Sequence, residues 1–212
     1  MARRSYRQPA CGLATALDLV GERWTLLVVR ELLVGPLRYT DLLDRLTGIG
    51  SNLLATRLHH LEEIGVVQRT ELRPPAASIV YELTDLGWAL EPAVNALASW
   101  GQHYVDPDVE HGFDARREAF TLRRLIQHGH HDGEVAYQFV VGSEVLHARV
   151  CDGKVETGLG PIAQPCVTIR TDHVTWEVLV RAGAVDDVLA GGTVDVEGDP
   201  TALRRLFGSP DS

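Results

Sequence analysis

Residues 37–83 constrain the fold of this chain more than any other stretch. Two segments of helical character, residues 39–46 and 51–64, are joined there by a glycine-containing turn. Leucines and an isoleucine of the second segment recur at helical spacing, so this helix can turn one apolar stripe toward a core. Ser51, or Gly50 before it, can cap the amino end of the helix. Two short helices with such a turn have the helix-turn-helix layout, in which the second helix enters the major groove of DNA.

Two alternating runs rich in β-branched residues follow this pair of helices. Residues 66–72 and 79–83 are typical of strands. Residues 73–78 between them contain two prolines and Arg73, as expected for a hairpin turn. Two helices followed by a hairpin with a basic tip are the elements of a winged helix. An ordinary α+β domain with the same order of elements is the alternative, but cap, turn, helix and hairpin agree with one another and favour DNA binding.

Ten residues form the predicted DNA-contacting set, at the start of the first short helix, on the second helix and on the hairpin. Amino ends of helices offer free N–H groups to phosphates, and Asn and Arg side chains match the edges of adenine and guanine. We therefore expect Asn52 and Arg57 to read bases and Arg73 to contact phosphate or the minor groove. For each residue alone, a solvated surface role is the alternative. The set is Arg38, Tyr39, Thr40, Ser51, Asn52, Thr56, Arg57, His60, Arg69 and Arg73.

The net charge of −9 at first argues against a nucleic-acid partner. The charge is unevenly distributed, since residues 1–105 carry 10 arginines and 11 acidic residues, and almost all of the excess acid lies in residues 106–212. The half that is predicted to contact DNA is therefore nearly neutral. Non-specific attraction to phosphates should be weak, and binding should depend on a local basic face.

A longer helix is predicted over residues 85–104, with Thr84 as its cap. It carries an apolar stripe that includes Trp100. A small winged helix gains little from such a terminal helix unless the stripe is covered. Pairing with the same helix of a second subunit would cover it, and most helix-turn-helix proteins bind two half-sites as dimers. Packing against residues 106–212 is the alternative.

The predicted fold class is α+β, with a winged helix-turn-helix in residues 1–105 and a smaller sheet domain with covering helices in residues 106–212. Residues 106–112 are acidic and contain a proline, which is typical of a domain boundary. Asp152-Gly153 predicts a tight hairpin turn. Beyond the boundary, the pattern predicts helices over 114–126, 172–182, 185–190 and 200–207, and strands over 135–141, 145–150, 167–171 and 193–197.

Few other residues suggest chemistry. Cys11 opens a first helix over residues 11–20, where the helix amino end and nearby arginines could make its thiol reactive, although a buried, inert thiol is the commoner outcome. His128, His130 and His131 lie in a glycine-containing loop without a nearby cysteine, so we expect no metal site. No catalytic triad, phosphate loop or metalloprotease motif occurs in the sequence. We expect no enzymatic activity and no cofactor.

Without an apolar run of about 20 residues we also expect a cytoplasmic protein with no membrane partner.

The first half of the chain contains a series of short motifs. They are Cys11 ahead of Ala16-Leu17-Asp18, the run 21–27, Arg30-Glu31-Leu32, Gly48-Ile49, Arg57-Leu58 with Leu61-Glu62, Gly65-Val66-Val67, Tyr81-Glu82-Leu83-Thr84 and Leu86-Gly87. In these motifs, residues 11–104 resemble the HxlR family of bacterial winged-helix transcriptional regulators, which is related to the MarR group. The resemblance implies a homodimer joined through the first and last helices of this region. Some members sense oxidants or electrophiles through a cysteine at the position of Cys11, which makes a thiol switch one regulatory hypothesis.

Motifs of the second half point to another family. They are Asp152-Gly153-Lys154-Val155, Pro165-Cys166-Val167-Thr168-Ile169 with Asp172, and the run 189–199 followed by Leu203, Leu206 and Phe207. This half looks like a sterol carrier protein type two domain. The resemblance implies a sheet covered by helices over an apolar cavity for lipids or acyl chains. The candidate ligand-binding residues are Tyr137, Phe139, Val141 and Trp176.

Taken together, the sequence predicts a cytoplasmic, homodimeric regulator that binds a double-stranded DNA operator. We expect a repressor rather than an activator, with a second domain that binds an apolar small-molecule effector. A thiol-based regulator acting through Cys11 is one alternative. A lipid-binding or carrier protein whose winged helix is not used on DNA is another.

Overall fold

A computed structural model describes residues 6, 10–73, 77–106, 112–127, 134–182, 185–199, 201 and 206 of the 212-residue chain. Its contacts divide the chain into two compact units, residues 1–106 and 107–212. In the described part of the chain, no helix is both long and apolar enough to span a membrane. The loop with His128, His130 and His131, the hairpin tip at 74–76 and most of the predicted last helix at 200–207 lie outside the described residues.

The first unit is built around a central apolar helix. In chain order it includes α1 (Gly12–Val20), α2 (Thr25–Leu32), α3 (Tyr39–Arg45), α4 (Ser51–Glu63), β1 (Val67–Glu71), β2 (Ile79–Leu83), α5 (Asp85–Trp88) and α6 (Glu91–Gln102). The central helix is α2, which packs against α4, α6 and β2. Val28 and Val29 on it are fully buried. This is the position expected of a helix that is apolar nearly all round.

Helices α3 and α4 confirm the predicted helix-turn-helix. Gly50, rather than Ser51, occupies the cap position of α4, so no side chain accepts a hydrogen bond there. At the other end Gly65 has a φ of +72°, a left-handed conformation that glycine adopts with little strain. Three buried leucines turn the helix toward the core of the unit, and they are Leu54, Leu58 and Leu61.

The predicted wing is confirmed as a two-stranded hairpin. Strands β1 and β2 pair antiparallel with Val67 opposite Leu83. On the other edge of β2, the backbone of Leu37 exchanges hydrogen bonds with that of Tyr81. This short bridge ties the chain just before α3 to the wing. Thr84 then caps α5 as predicted, because its Oγ1 accepts a hydrogen bond from the N–H of Gly87 at 3.2 Å.

The predicted continuous helix over residues 85–104 is wrong, because the structure divides it in two. Helix α5 ends at Trp88 and α6 begins at Glu91. Pro92 explains the break, since it has no N–H to donate to the carbonyl of Trp88. Its fixed φ suits the first turn of a new helix, where α6 places it.

The second unit is a sheet with covering helices. It includes α7 (Ala115–Gln127), β3 (Val135–Val141), β4 (Glu144–Cys151), β5 (Lys154–Leu159), β6 (Val167–Thr171), α8 (His173–Ala182), α9 (Val185–Ala190) and β7 (Asp195–Gly198). The strand order is β5-β4-β3-β6-β7, in which β3 and β6 are parallel and the other neighbours are antiparallel. The predicted turn is confirmed, since Asp152 and Gly153 have φ values of +50° and +72°.

The core of this unit lies on one face of the sheet. Tyr137 and Phe139 point to that face and are fully buried. Trp176 of α8 packs edge-on against Phe139, with 5.4 Å between ring centroids. Its indole N–H donates a hydrogen bond to Glu118 of α7 at 3.0 Å, so α7 and α8 cover the same face. The fold class is therefore the predicted α+β.

Candidate nucleic-acid interface

The face of α4 opposite its buried leucines is a polar, exposed strip. It comprises Asn52, Ala55, Thr56, His59 and Glu63, which recur at helical spacing. The side chains of His59 and Glu63 are 73% and 59% exposed, and their Nε2 and Oε1 atoms lie 3.4 Å apart. We call this surface the α4 strip. It offers amide, hydroxyl and imidazole groups, which are the side-chain types that contact base edges and phosphates in a major groove.

Part of the α4 strip is pre-ordered by the helix itself. The hydroxyl of Thr56 donates a hydrogen bond to the carbonyl of Asn52 at 2.8 Å. That hydroxyl therefore presents its oxygen outward as an acceptor. The amide group of Asn52 is exposed at the amino end of the helix, next to exposed Ser51.

The start of α3 is joined to both α4 and the wing. The hydroxyl of Tyr39 donates to the carbonyl of Ser51 at 2.7 Å, which connects the two helix amino ends. The guanidinium of Arg38, the residue before α3, donates through Nε to the hydroxyl of Ser78, the residue before β2, at 3.0 Å. Arg38 and Thr40 remain exposed. These bonds hold the predicted contacts of α3, α4 and the wing in one arrangement.

Arg57 and His60 do not lie on the α4 strip. Both point sideways from α4 toward the end of α1 and the turn that follows it. Arg57 donates to the carbonyl of Arg23 at 3.0 Å and to the carboxylate of Glu22 at 3.1 Å, and only 15% of its side chain is exposed. His60 Nε2 lies 2.9 Å from the carbonyl of Leu19. The base contact expected of Arg57 is not favoured by this geometry, because its guanidinium is already engaged.

The two predicted arginines of the wing differ in their surroundings. Arg69 lies over the ring of Tyr81, 5.6 Å from its centroid, and its Nε is 3.9 Å from the Glu62 carboxylate. Burial raises the pKa of Tyr81, and the Arg69 guanidinium partly opposes this shift. Arg73 is exposed near the tip, where its carbonyl accepts a hydrogen bond from the Ala77 N–H at 3.4 Å. Arg73 is thus better placed than Arg69 to reach a phosphate.

Two functional features were missed by the sequence analysis. His59 belongs to the α4 strip, and its spacing of three residues from Thr56 and seven from Asn52 could have indicated this. Glu31 is a buried carboxylate that pairs with Arg30 at 2.5 Å and with Arg45 of α3 at 2.6 Å. Nothing in the spacing of Glu31 and Arg45 along the chain indicates their contact.

Helices α1 and α6 expose apolar side chains that the unit itself does not bury. Leu13 and Leu17 stand one turn apart on α1 and are 70% and 40% exposed. On and just beyond α6, Leu97, Trp100 and Tyr104 are 53%, 63% and 74% exposed. The last two rings touch, with centroids 5.0 Å apart. Large apolar groups in such clusters commonly mark protein–protein contact sites.

Cys11 and the candidate ligand residues have contrasting environments. The half-buried Cys11 caps α1 by accepting a hydrogen bond at Sγ from the N–H of Ala14 at 3.5 Å. Tyr137, Phe139, Val141 and Trp176 are instead fully buried in the core of the second unit. A depression on the surface of that unit is lined mostly by charged residues, namely Glu134, Arg149, Asp152, Lys154 and Glu156, together with Cys151.

The comparison with known proteins finds matches to the first unit. The profile of the HxlR-like helix-turn-helix family matches residues 19–109. The uncharacterized HTH-type transcriptional regulator YvaP of Bacillus subtilis (strain 168) is 35% identical over 92 residues, or 43% of this chain and 85% of YvaP. The HTH-type transcriptional regulator YodB of the same strain is 30% identical over 95 residues, or 45% of this chain and 85% of YodB. The solved reduced form of YodB is 29% identical with a TM-score of 0.40, and the match covers 47% of this chain and 98% of that structure.

Proposed function

Because the chain belongs to the HxlR-like helix-turn-helix family of DNA-binding transcriptional regulators, we propose that it is a homodimeric repressor. It binds its operator through α4. The observation that carries this proposal is the α4 strip, whose exposed polar groups lie opposite a buried leucine stripe. Residues 1–105 bind DNA and form the dimer, and residues 106–212 bind an effector. A regulator of this kind acts on the chromosome, which places it in the bacterial cytoplasm, and it needs no enzymatic activity.

The roles on DNA follow from side-chain placement. Asn52, Thr56 and His59 point away from the core and read base edges in the major groove. Arg38, Thr40 and Ser51 are exposed at helix amino ends, where they and the free backbone N–H groups contact phosphate. Exposed Arg73 extends the contact from the wing to phosphate or the minor groove. Tyr39 orders the interface through its bond to α4 rather than through DNA.

The dimer is supported by the exposed apolar face of α1 and α6. Leu13, Leu97 and Trp100 are each more than half exposed, and burying them against a second copy would remove them from water. Two copies related by a two-fold axis present two α4 helices to half-sites about one DNA turn apart. A dimer bound to a promoter in this way blocks RNA polymerase and needs no other interaction surface to do so. This supports repression rather than activation.

Asn52→Ala should weaken operator binding by about 1–3 kcal/mol and leave binding to scrambled DNA unchanged, because a base-reading contact is lost. The salt dependence of operator binding should also stay unchanged, since no phosphate contact is removed. The measurement is fluorescence anisotropy of the purified protein on its own upstream intergenic DNA and on scrambled DNA, across a salt series. Glu144→Ala, at an exposed residue of the second unit, is the control and should bind like wild type. Equal affinity of wild type for both DNAs would contradict the regulator proposal.

For the second unit we propose binding of an apolar small molecule between the sheet and its covering helices, as in a sterol carrier protein type two fold. The support is the aromatic cluster of Tyr137, Phe139 and Trp176 beneath α8. Since these rings are fully buried, a ligand enters by displacing part of the helix layer rather than by filling an open cavity. Solvent extraction and mass spectrometry of the purified protein test this. Co-purified lipid without any operator preference would instead favour a carrier protein.

A thiol switch at Cys11 is a second candidate for regulation, favoured by its place at the amino end of α1. The N–H of Ala14 donates to Sγ and so holds the thiol at that helix end. Oxidant should release wild type from its operator and leave Cys11→Ser bound. If oxidant does not change the binding of wild type to its operator, this candidate is eliminated.

A further inference from the structure

Three contacts fasten the recognition helix α4 to the end of α1. Arg57 donates through Nε to the carbonyl of Arg23 and through Nη2 to the carboxylate of Glu22, at 3.0 and 3.1 Å. His60 Nε2 lies 2.9 Å from the carbonyl of Leu19. A carbonyl can only accept, so the imidazole donates this bond. We call the group formed by Leu19, Glu22, Arg23, Arg57 and His60 the α1–α4 clamp.

The turn that carries the clamp has a defined shape. It closes with a hydrogen bond from the Thr25 N–H to the carbonyl of Glu22 at 3.1 Å. Trp24 in this turn has a φ of +78°, which is unfavourable for a residue with a side chain. The Arg23 guanidinium lies 5.3 Å from the centroid of its ring, and the edge of the ring lies close to Gly48 in the turn between α3 and α4. A strained conformation persists only where its surroundings enforce it, so this turn offers a stiff support to α4.

The clamp uses side chains of α4 that DNA does not reach in the proposed arrangement. On a helix with 3.6 residues per turn, His60 and Arg57 project roughly 80° and 140° away from the centre of the α4 strip. Their side chains are only 15% and 19% exposed. Glu22, in contrast, is 56% exposed and brings a negative charge that would repel a phosphate. The guanidinium of Arg57 binds a carbonyl and a carboxylate at once, and such a two-point contact holds α4 in place.

We propose that Arg57 and His60 are positioning residues, which fix the orientation of α4 to α1 and thereby set how the two α4 helices of a dimer meet their half-sites. This inference rests on the proposed function. Since α1 also carries exposed Leu13 and Leu17, the clamp links the apolar face of α1 directly to the α4 strip. Any ligand or covalent change that displaces α1 then displaces α4 with it, and operator affinity changes accordingly.

Glu22→Gln distinguishes the clamp from a direct DNA contact by the sign of its effect. If Arg57 contacted DNA and Glu22 only competed for it, loss of the carboxylate charge would free Arg57 and raise operator affinity. If the clamp positions α4, the same substitution weakens operator binding by about 3- to 30-fold, in the range typical of residues that couple through a network. Because Glu22 is largely exposed, the substitution should leave the core intact, and the melting temperature of the variant should equal that of wild type.

Three further variants complete the test, and the first of them is a control. Glu144→Gln removes the same charge from an exposed residue of the second unit, outside the α4 strip and the clamp, and it should leave operator affinity unchanged. Arg57→Gln should weaken operator binding without changing its salt dependence, whereas a lost phosphate contact would reduce the salt slope by about 1. The double variant Glu22→Gln/Arg57→Gln should bind no more weakly than Arg57→Gln alone, because both substitutions break the same contact.

Asn52→Ala separates failure of the clamp from failure of the proposed function. If Asn52→Ala weakens operator binding while Glu22→Gln strengthens it, or if Arg57→Gln lowers the salt slope, the clamp is overturned and the regulator stands. If wild type does not prefer its operator over scrambled DNA, the proposed function fails and the clamp fails with it. Weaker binding of Glu22→Gln with an unchanged salt slope for Arg57→Gln supports the clamp.

Discussion

Trp100→Glu should make the protein monomeric and reduce its affinity for a two-half-site operator by about 100-fold or more, because the second half-site no longer binds intramolecularly. Trp100 is 63% exposed and its ring contacts Tyr104, so it lies on the surface that a second copy is proposed to cover. Aromatic residues at the centre of an interface often contribute about 2 kcal/mol or more to association. A carboxylate at that position would in addition be desolvated without a partner.

The mass of the protein in solution and the DNA-binding curve test this together. Multi-angle light scattering gives the oligomeric state, and anisotropy on operators with one and two half-sites gives the affinities. Val174→Glu is a matched control, since Val174 is 76% exposed on α8 and lies outside the proposed interface. It should stay dimeric and bind normally. A Trp100→Glu variant that remains dimeric would show that the subunits join elsewhere.

Glu31→Ala should destabilise the first unit by about 3 kcal/mol, since breaking a buried ion pair by removing one partner is strongly destabilising. Glu31 is 5% exposed, and its two carboxylate oxygens bind different helices: Oε1 binds Arg30 of its own helix, and Oε2 binds Arg45 of α3. Removing it therefore breaks this contact between α2 and the first helix of the helix-turn-helix. For a domain of about 100 residues, such a loss corresponds to a fall in melting temperature of about 12–24 °C.

Calorimetry or denaturant unfolding followed by circular dichroism measures this loss. Glu63→Ala, at an exposed glutamate of α4, should shift the melting temperature by only a few degrees. Arg45 is 24% and Arg30 30% exposed, so both can partly turn to water, which keeps the expected loss at the low end for a buried pair. A Glu31→Ala variant as stable as the control would show that the contact contributes little.

Much of the fold follows from short-range pattern. The bounds of α4 follow from its leucine spacing and its flanking glycines, and the strand at 135–141 follows from its apolar run. The turn at Asp152-Gly153 is predicted because few residue pairs accept two positive φ values in succession. The break before α6 was missed, although Pro92 carries the information, because the apolar stripe continues across it.

The residues of the candidate DNA-contacting site could be predicted from the sequence only in part. The sequence by itself determined that one face of α4 is apolar and buried, since the spacing of Leu54, Leu58 and Leu61 has only one helical solution. It could not determine which polar side chains remain free for DNA. Helical periodicity gives the direction of a side chain from its axis, but not which neighbouring element stands there. Only the tertiary structure places the α1–α2 turn beside Arg57 and leaves Asn52, Thr56 and His59 facing solvent.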